Sequence, residues 1–179
     1  MSTAAGLPGI DLRDPAAQKV VAEVALHIVT VEGPVEEDVL ISRVRSAWLL
    51  DRSGQIVQSS VRDALARLRR KKRAVQSGTV WDVPGRAVTV ARTPSPDFDR
   101  KKVSQVPSAE RQVALLGILS ESPGMRHEEL ASGTARFFGW LRLGTDIRAA
   151  FDQDIEELIT SGLVTTGPSG LVPVDDVTG

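Results

Sequence analysis

The stretch "DALARLRRKKRAVQSGTVWDV", residues 63–83, decides the fold, because it runs the end of a helix into a hairpin. Upstream of it and within it, Val57, Val61, Leu65 and Leu68 recur at helical spacing and give one apolar side. Downstream, "AVQSGTVWDV" alternates about Ser77 and Gly78, a pair suited to a tight turn between two strands. Working back, "DRSG" at 51–54 predicts a turn. The helix before it starts near the "EED" at 36–38, whose acidic first turn suits the helix dipole, and it buries Leu40, Val44, Ala47 and Trp48. "EGP" at 32–34 ends a first helix carrying Val20, Val21, Val24, Ile28 and Val29, with Asp14 and Pro15 as its N-cap and first residue. Three helices followed by a hairpin is the order of a winged helix-turn-helix.

Sliding the chain by 90 positions lays this unit on a second one without gaps. Ile28 falls on Ile118, Val29 on Leu119, Val35 on Met125, Leu40 on Leu130 and Trp48 on Phe138. Gly54 falls on Gly144, Val57 on Ile147, Val61 on Phe151, Leu65 on Ile155, Leu68 on Leu158 and Trp81 on Leu171. Identity is low, but apolar meets apolar and glycine meets glycine. The fold class expected is mainly α with small β-hairpins (α+β), a tandem duplicated winged helix-turn-helix. Residues 1–15 read as a disordered N-terminus, 16–92 as unit 1, 93–107 as a linker with Pro94, Pro96 and Pro107 in or beside it, and 108–175 as unit 2. Val35 and Met125 are each expected to add a third strand to their hairpin.

Seven cationic side chains lie between Arg62 and Arg73, yet the formal net charge is only −1. The balance is uneven along the chain. Residues 20–92 hold 12 Lys/Arg against 8 Asp/Glu, a net of +4, and residues 110–179 hold 5 against 11, a net of −6. Such an asymmetry says more about partners than the total does. Opposite the apolar side of the third helix stand Gln55, Gln58, Ser59, Arg62, Ala66, Arg69, Arg70 and Arg73, with Lys71 and Lys72 completing the basic run. That face could contact phosphates and base edges of duplex DNA. In unit 2 the matching positions are Thr145, Arg148, Ala149, Asp152, Glu156, Ile159 and Thr160, whose carboxylates would repel phosphate. The competing reading is a basic helix end that complements the dipole and stays solvated. No aromatic is interleaved with the run, which disfavours stacking on single strands.

Chemistry of other kinds finds no support. There is no cysteine, which removes disulfides and thiolate metal sites and fits a cytoplasmic protein. No apolar run is long enough for a membrane span, and "MSTAAGLPGIDLRDP" is not a secretory signal, so no membrane partner is expected. His27 and His127 lie in different units, and Glu128 and Glu129 beside His127 do not face one ligand, so no metal is expected. Asp146, Asp152, Asp154, Glu156 and Glu157 read as a solvated acidic face. No P-loop, dinucleotide fingerprint or nucleophile elbow is present, so no cofactor and no catalytic residue is assigned, and the chain is not expected to be an enzyme. Trp48, Trp81 and Phe138 read as core anchors and Trp140 as a partly exposed contact.

A resemblance adds context. Residues 31–68 carry Glu32-Gly33-Pro34, Trp48, Arg52-Ser53-Gly54-Gln55-Ile56 and Leu65 with Leu68, and Trp81 stands ahead of Pro84-Gly85. The second half echoes them as Arg142-Leu143-Gly144-Thr145-Asp146-Ile147. This pattern, over about 20–170, resembles the domain of unknown function at the C-terminal end of large bacterial superfamily I helicase-like proteins, which often also carry a nuclease-like domain. The helicase motor is absent from this chain, so ATP hydrolysis does not follow. The resemblance implies an accessory module on a nucleic-acid-processing machine, and it supplies no catalytic residues.

The resulting expectation is a non-enzymatic protein whose unit 1 binds duplex DNA and whose unit 2 meets a helicase- or nuclease-like protein or a second copy of the chain. A protein-interaction adaptor without nucleic-acid binding, or a dimeric transcription regulator on paired half-sites, are the alternatives.

Overall fold

Proline tolerates the first position of a helix, where its missing N–H has no partner to lose. In the computed structural model, Pro15 opens α1 (Pro15–Glu32). The structure describes residues 15–50, 54–93 and 102–174, with side chains from Ala17 onward. The expected disorder of the N-terminus and the Arg52-Ser53 part of the family pattern fall outside those residues. After α1 come β1 (Val35–Glu36), α2 (Glu37–Ala47), α3 (Gln55–Arg70), β2 (Val75–Ser77) and β3 (Val80–Asp82). Then follow a 3-10 turn at Val103–Gln105, α4 (Ser108–Glu121), α5 (His127–Phe137), α6 (Thr145–Thr160), β4 (Val164–Gly167) and β5 (Gly170–Pro173). The described residues thus form an α+β chain of six α-helices and two small antiparallel sheets.

The chain divides between Arg86 and Ala87 into two compact units. In the first, β3 is the central strand of a sheet ordered β1-β3-β2, with Val35 opposite Trp81 and Gln76 opposite Trp81 on the other side. Gly78 makes the hairpin turn at φ +57°, a region that glycine enters without steric penalty. Trp81 is buried, and so are Val57, Val61, Leu65 and Leu68 of α3, together with Val21, Ile28 and Val29 of α1 and Leu40, Val44 and Trp48 from α2 onward. The apolar spacing of each helix therefore turns into one shared core.

The second unit is built in the same order. α2 and α5 begin and end 90 residues apart, and so do α3 and α6. Where Val35 pairs with Trp81, Met125 forms an isolated antiparallel bridge with Leu171, which lies in the β4–β5 hairpin. The third strand expected at Met125 is therefore reduced to a single bridge. Leu115, Leu119, Leu130, Phe151, Ile155 and Leu158 fill this core. Trp140, expected to be partly exposed, is instead buried beside Phe138 and Phe151, with ring centroids 5.1 and 6.0 Å away. In a chain with few aromatics these three rings, joined by Phe137, occupy volume that smaller aliphatic side chains would leave open.

Among the described residues, two carboxylates are buried, both in unit 2. Asp154, expected on the solvated acidic face, is fully buried and accepts from Arg111 Nε at 2.6 Å and Nη2 at 3.0 Å, and from the Ser108 hydroxyl. Arg111 also donates to the carbonyls of Val103 and Val106, fixing the segment ahead of α4. Glu110 is 1% exposed. It accepts from the backbone N–H of Arg92 at 2.8 Å and from its guanidinium at 2.6 Å. Arg92, expected as the last residue of unit 1, is thus attached to unit 2, and Val103 and Val106 of the segment expected as a linker are buried in its core.

Candidate nucleic-acid interface

α3 places its polar residues on the side its apolar stripe leaves over. Gln55 is exposed just after the N-cap Gly54, Gln58 is half-buried, and the Ser59 hydroxyl donates to the Ile56 carbonyl at 3.1 Å. The cations behind them fall into two groups. Those in the helix proper are engaged within the unit. Arg62 donates from Nε to Glu37 Oε1 at 2.8 Å, and Glu37 also accepts from Trp81 Nε1 at 3.2 Å. That hydrogen bond and the Glu37 charge raise the Arg62 pKa further above its ordinary value. Arg67 donates to Gln18 on α1 and back to the Asp63 carbonyl. Arg69 donates to Gln76 Oε1 at 2.7 Å, and Gln76 donates on to the Gly78 carbonyl, tying the helix to the hairpin turn.

The second group sits at the helix end. Arg70, Lys71, Lys72 and Arg73 are all exposed, and none makes a side-chain hydrogen bond or ion pair among the described residues. The backbone here closes with Lys72 N–H on the Arg69 carbonyl and Arg73 N–H on the Leu68 carbonyl, both 2.9 Å, the bonding of a Schellman cap. Such a cap puts one residue in the left-handed region, and that residue is Lys72 at φ +56°. The result is four adjacent cations on a bend between α3 and β2, where the dipole also favours positive charge. Sequence reading gathered Arg62, Arg69 and the four cap residues on one face. The structure separates the four at the cap from Arg62 and Arg69, whose partners come from α2 and the hairpin.

The third helix of unit 2 ends in the same backbone hydrogen bonds with different side chains. Its α6 closes with Gly162 N–H on the Ile159 carbonyl and Leu163 N–H on the Leu158 carbonyl, both 3.0 Å, with Gly162 at φ +74°. The residues at 160–163 are Thr160, Ser161, Gly162 and Leu163, without a cation. Where Arg62 meets Glu37, unit 2 has Asp152 Oδ1 3.6 Å from His127 Nδ1. Arg148 pairs with Glu128 at 3.1 Å. Arg126 and Glu129 bracket the start of α5, and hydrogen bonds from the Arg126 guanidinium and its backbone N–H hold the Glu129 carboxyl below the usual carboxylate range. An open groove along α5, lined by Met125, Arg126, Glu128, Glu129, Ser132 and Arg136, alternates in charge and brings no nucleophile to a base. Among the described residues no three His, Asp or Glu side chains gather as a metal site. No described helix is long and apolar enough to cross a membrane.

Residues 11–59 match the model of a family described as "Protein of unknown function (DUF3320)". The match covers α1, β1, α2 and the start of α3, and stops short of the basic cap. No curated protein and no solved structure matches the chain.

Proposed function

We propose that this chain is a non-enzymatic tandem winged-helix protein whose unit 1 binds the backbone of duplex DNA. One observation carries the reading. At the end of the third helix, beside the hairpin, unit 1 presents four exposed cations without intramolecular partners among the described residues, and unit 2 presents none at the matching positions. Phosphate contact is the use such a cluster serves best, since each neutralised phosphate releases counterions. Gln55, Gln58 and Ser59 stand on the same helix nearer the positions where bases would be read. Unit 2, with net charge −6 over residues 110–179, is assigned to a protein contact, either a second copy or a helicase- or nuclease-like partner. The resemblance to the C-terminal domain of helicase-like proteins supports an accessory role on such a machine.

The test is fluorescence anisotropy of a labelled duplex at several salt concentrations. The whole chain is expected to bind with a steep salt slope, and the variant Arg70→Ser/Lys71→Ser/Arg73→Ser to lose about three units of that slope. Absence of binding by the natural chain at low salt would leave the adaptor reading in its place. A palindromic footprint would favour a dimeric regulator instead.

A further inference from the structure

We infer that Lys72 is a phosphate-contacting residue held at a backbone position that glycine would occupy more comfortably, and that unit 1 grips duplex backbone at the 70–73 cap rather than along the first turns of α3. The inference rests on the duplex-binding reading above. It starts from two caps with the same hydrogen bonds, one at each third helix. At the left-handed residue unit 2 has Gly162, φ +74°, and unit 1 has Lys72, φ +56°. A Cβ in that region crowds the following carbonyl, so glycine is the residue the fold alone would select.

A gain from the helix dipole does not account for the lysine. Lys71 and Arg73 flank it outside the left-handed region and already place cations at the helix end. Nor does an intramolecular contact, because the Lys72 side chain is exposed and has no partner among the described residues. What the lysine adds is a fourth adjacent charge at the bend leading into the hairpin. Arg62 and Arg69, by contrast, are already engaged within the unit, through Nε on Glu37 and Nη1 on Gln76. The cap is the part of the basic run whose side chains have no partner among the described residues.

Four versions of the whole chain test this: natural, Lys72→Gly, Lys72→Asn and Lys72→Arg, each measured for melting temperature and for anisotropy against a labelled duplex over a salt series. Glycine should raise the melting temperature by about 4 °C through relief of the left-handed backbone. The same variant should bind the duplex about three- to tenfold more weakly at low salt, with the salt slope reduced by about one. Asparagine, which tolerates the left-handed region without a charge, should weaken binding equally. Arginine should retain it. If the natural chain binds with a steep salt slope and both uncharged variants bind as well as it does, the role given to Lys72 is overturned while the duplex-binding reading stands. If the natural chain does not bind at low salt, both fall together.

Discussion

Leu49 shows at the scale of one residue how unit 1 departs from the most relaxed choice. It follows α2 at φ +54°, 74% exposed, where unit 2 has Gly139 at φ +75°. Burial returns little at that position, so Leu49→Gly is expected to stabilise unit 1 by about 0.5–1 kcal/mol in urea denaturation. The opposite sign applies to Asp154. Its carboxylate neutralises Arg111, whose side chain is only 12% exposed, and the neutral Asp154→Asn leaves that guanidinium buried without a counter-charge. A loss of about 3–5 kcal/mol from unit 2 is expected, read as a lower denaturation midpoint. The Glu129 carboxyl offers a titration test. Its folded pKa is depressed by Arg126, so its contribution is present above the ordinary carboxylate range and is lost as pH falls through the depressed value. Following the carboxyl carbon by NMR should place its midpoint below that of a reference glutamate.

Between elements, Glu37 is the junction that ties the second helix to the third and to the hairpin. It sits in the first turn of α2, where the dipole favours a carboxylate, and joins Arg62 of α3 to Trp81 of β3. The Glu37→Gln variant keeps an acceptor for the Trp81 N–H but releases Arg62 from its counter-charge. Duplex binding is then expected to tighten about two- to threefold, in keeping with the modest strength of a surface ion pair, and an unchanged affinity would place Arg62 outside the interface. Glu37 also marks where sequence reading stops. Helices α1 to α3 and the β2–β3 hairpin were legible because periodicity, the Pro15 start and the Ser77-Gly78 turn are local signals. Their partners were not. The contacts of Arg62 and Arg69 come from segments that periodicity does not connect, and Asp154 meets an arginine 43 residues away. A hint did exist for Asp154, which stands three residues after Phe151 and four before Leu158, on the buried stripe of α6. Trp140 was misread for a related reason. It follows a helix end, and only the arrival of Phe151 from α6 shows that it is covered.

Over the whole molecule, two helix caps with the same hydrogen bonds carry different side chains, and this suggests an exchange between them. Thr160 and Ser161 are exposed at the end of α6, at the positions that Arg70 and Lys71 occupy in unit 1. Thr160→Arg/Ser161→Lys adds cations where the dipole welcomes them and leaves the second core untouched. If the 70–73 cap is the phosphate-binding element, this variant should show a salt slope larger by about one to two than the natural chain. An unchanged slope would mean that the carboxylates at Asp152 and Glu156 still dominate that face.

The clasp between Glu110 and Arg92 has a consequence for how the chain would come apart. Residues from Ala87 onward belong to the second unit by packing, but they are joined to the first by uninterrupted backbone. A protease cut placed between 94 and 101 would therefore leave the N-terminal fragment carrying its own core plus a short tail. That tail carries Arg92, the arginine that the buried Glu110 of the other fragment binds in the intact chain. At ordinary concentrations one such ion pair is too weak to hold two chains together, so the fragments should separate on a native column and leave the Glu110 carboxylate buried without its counter-charge.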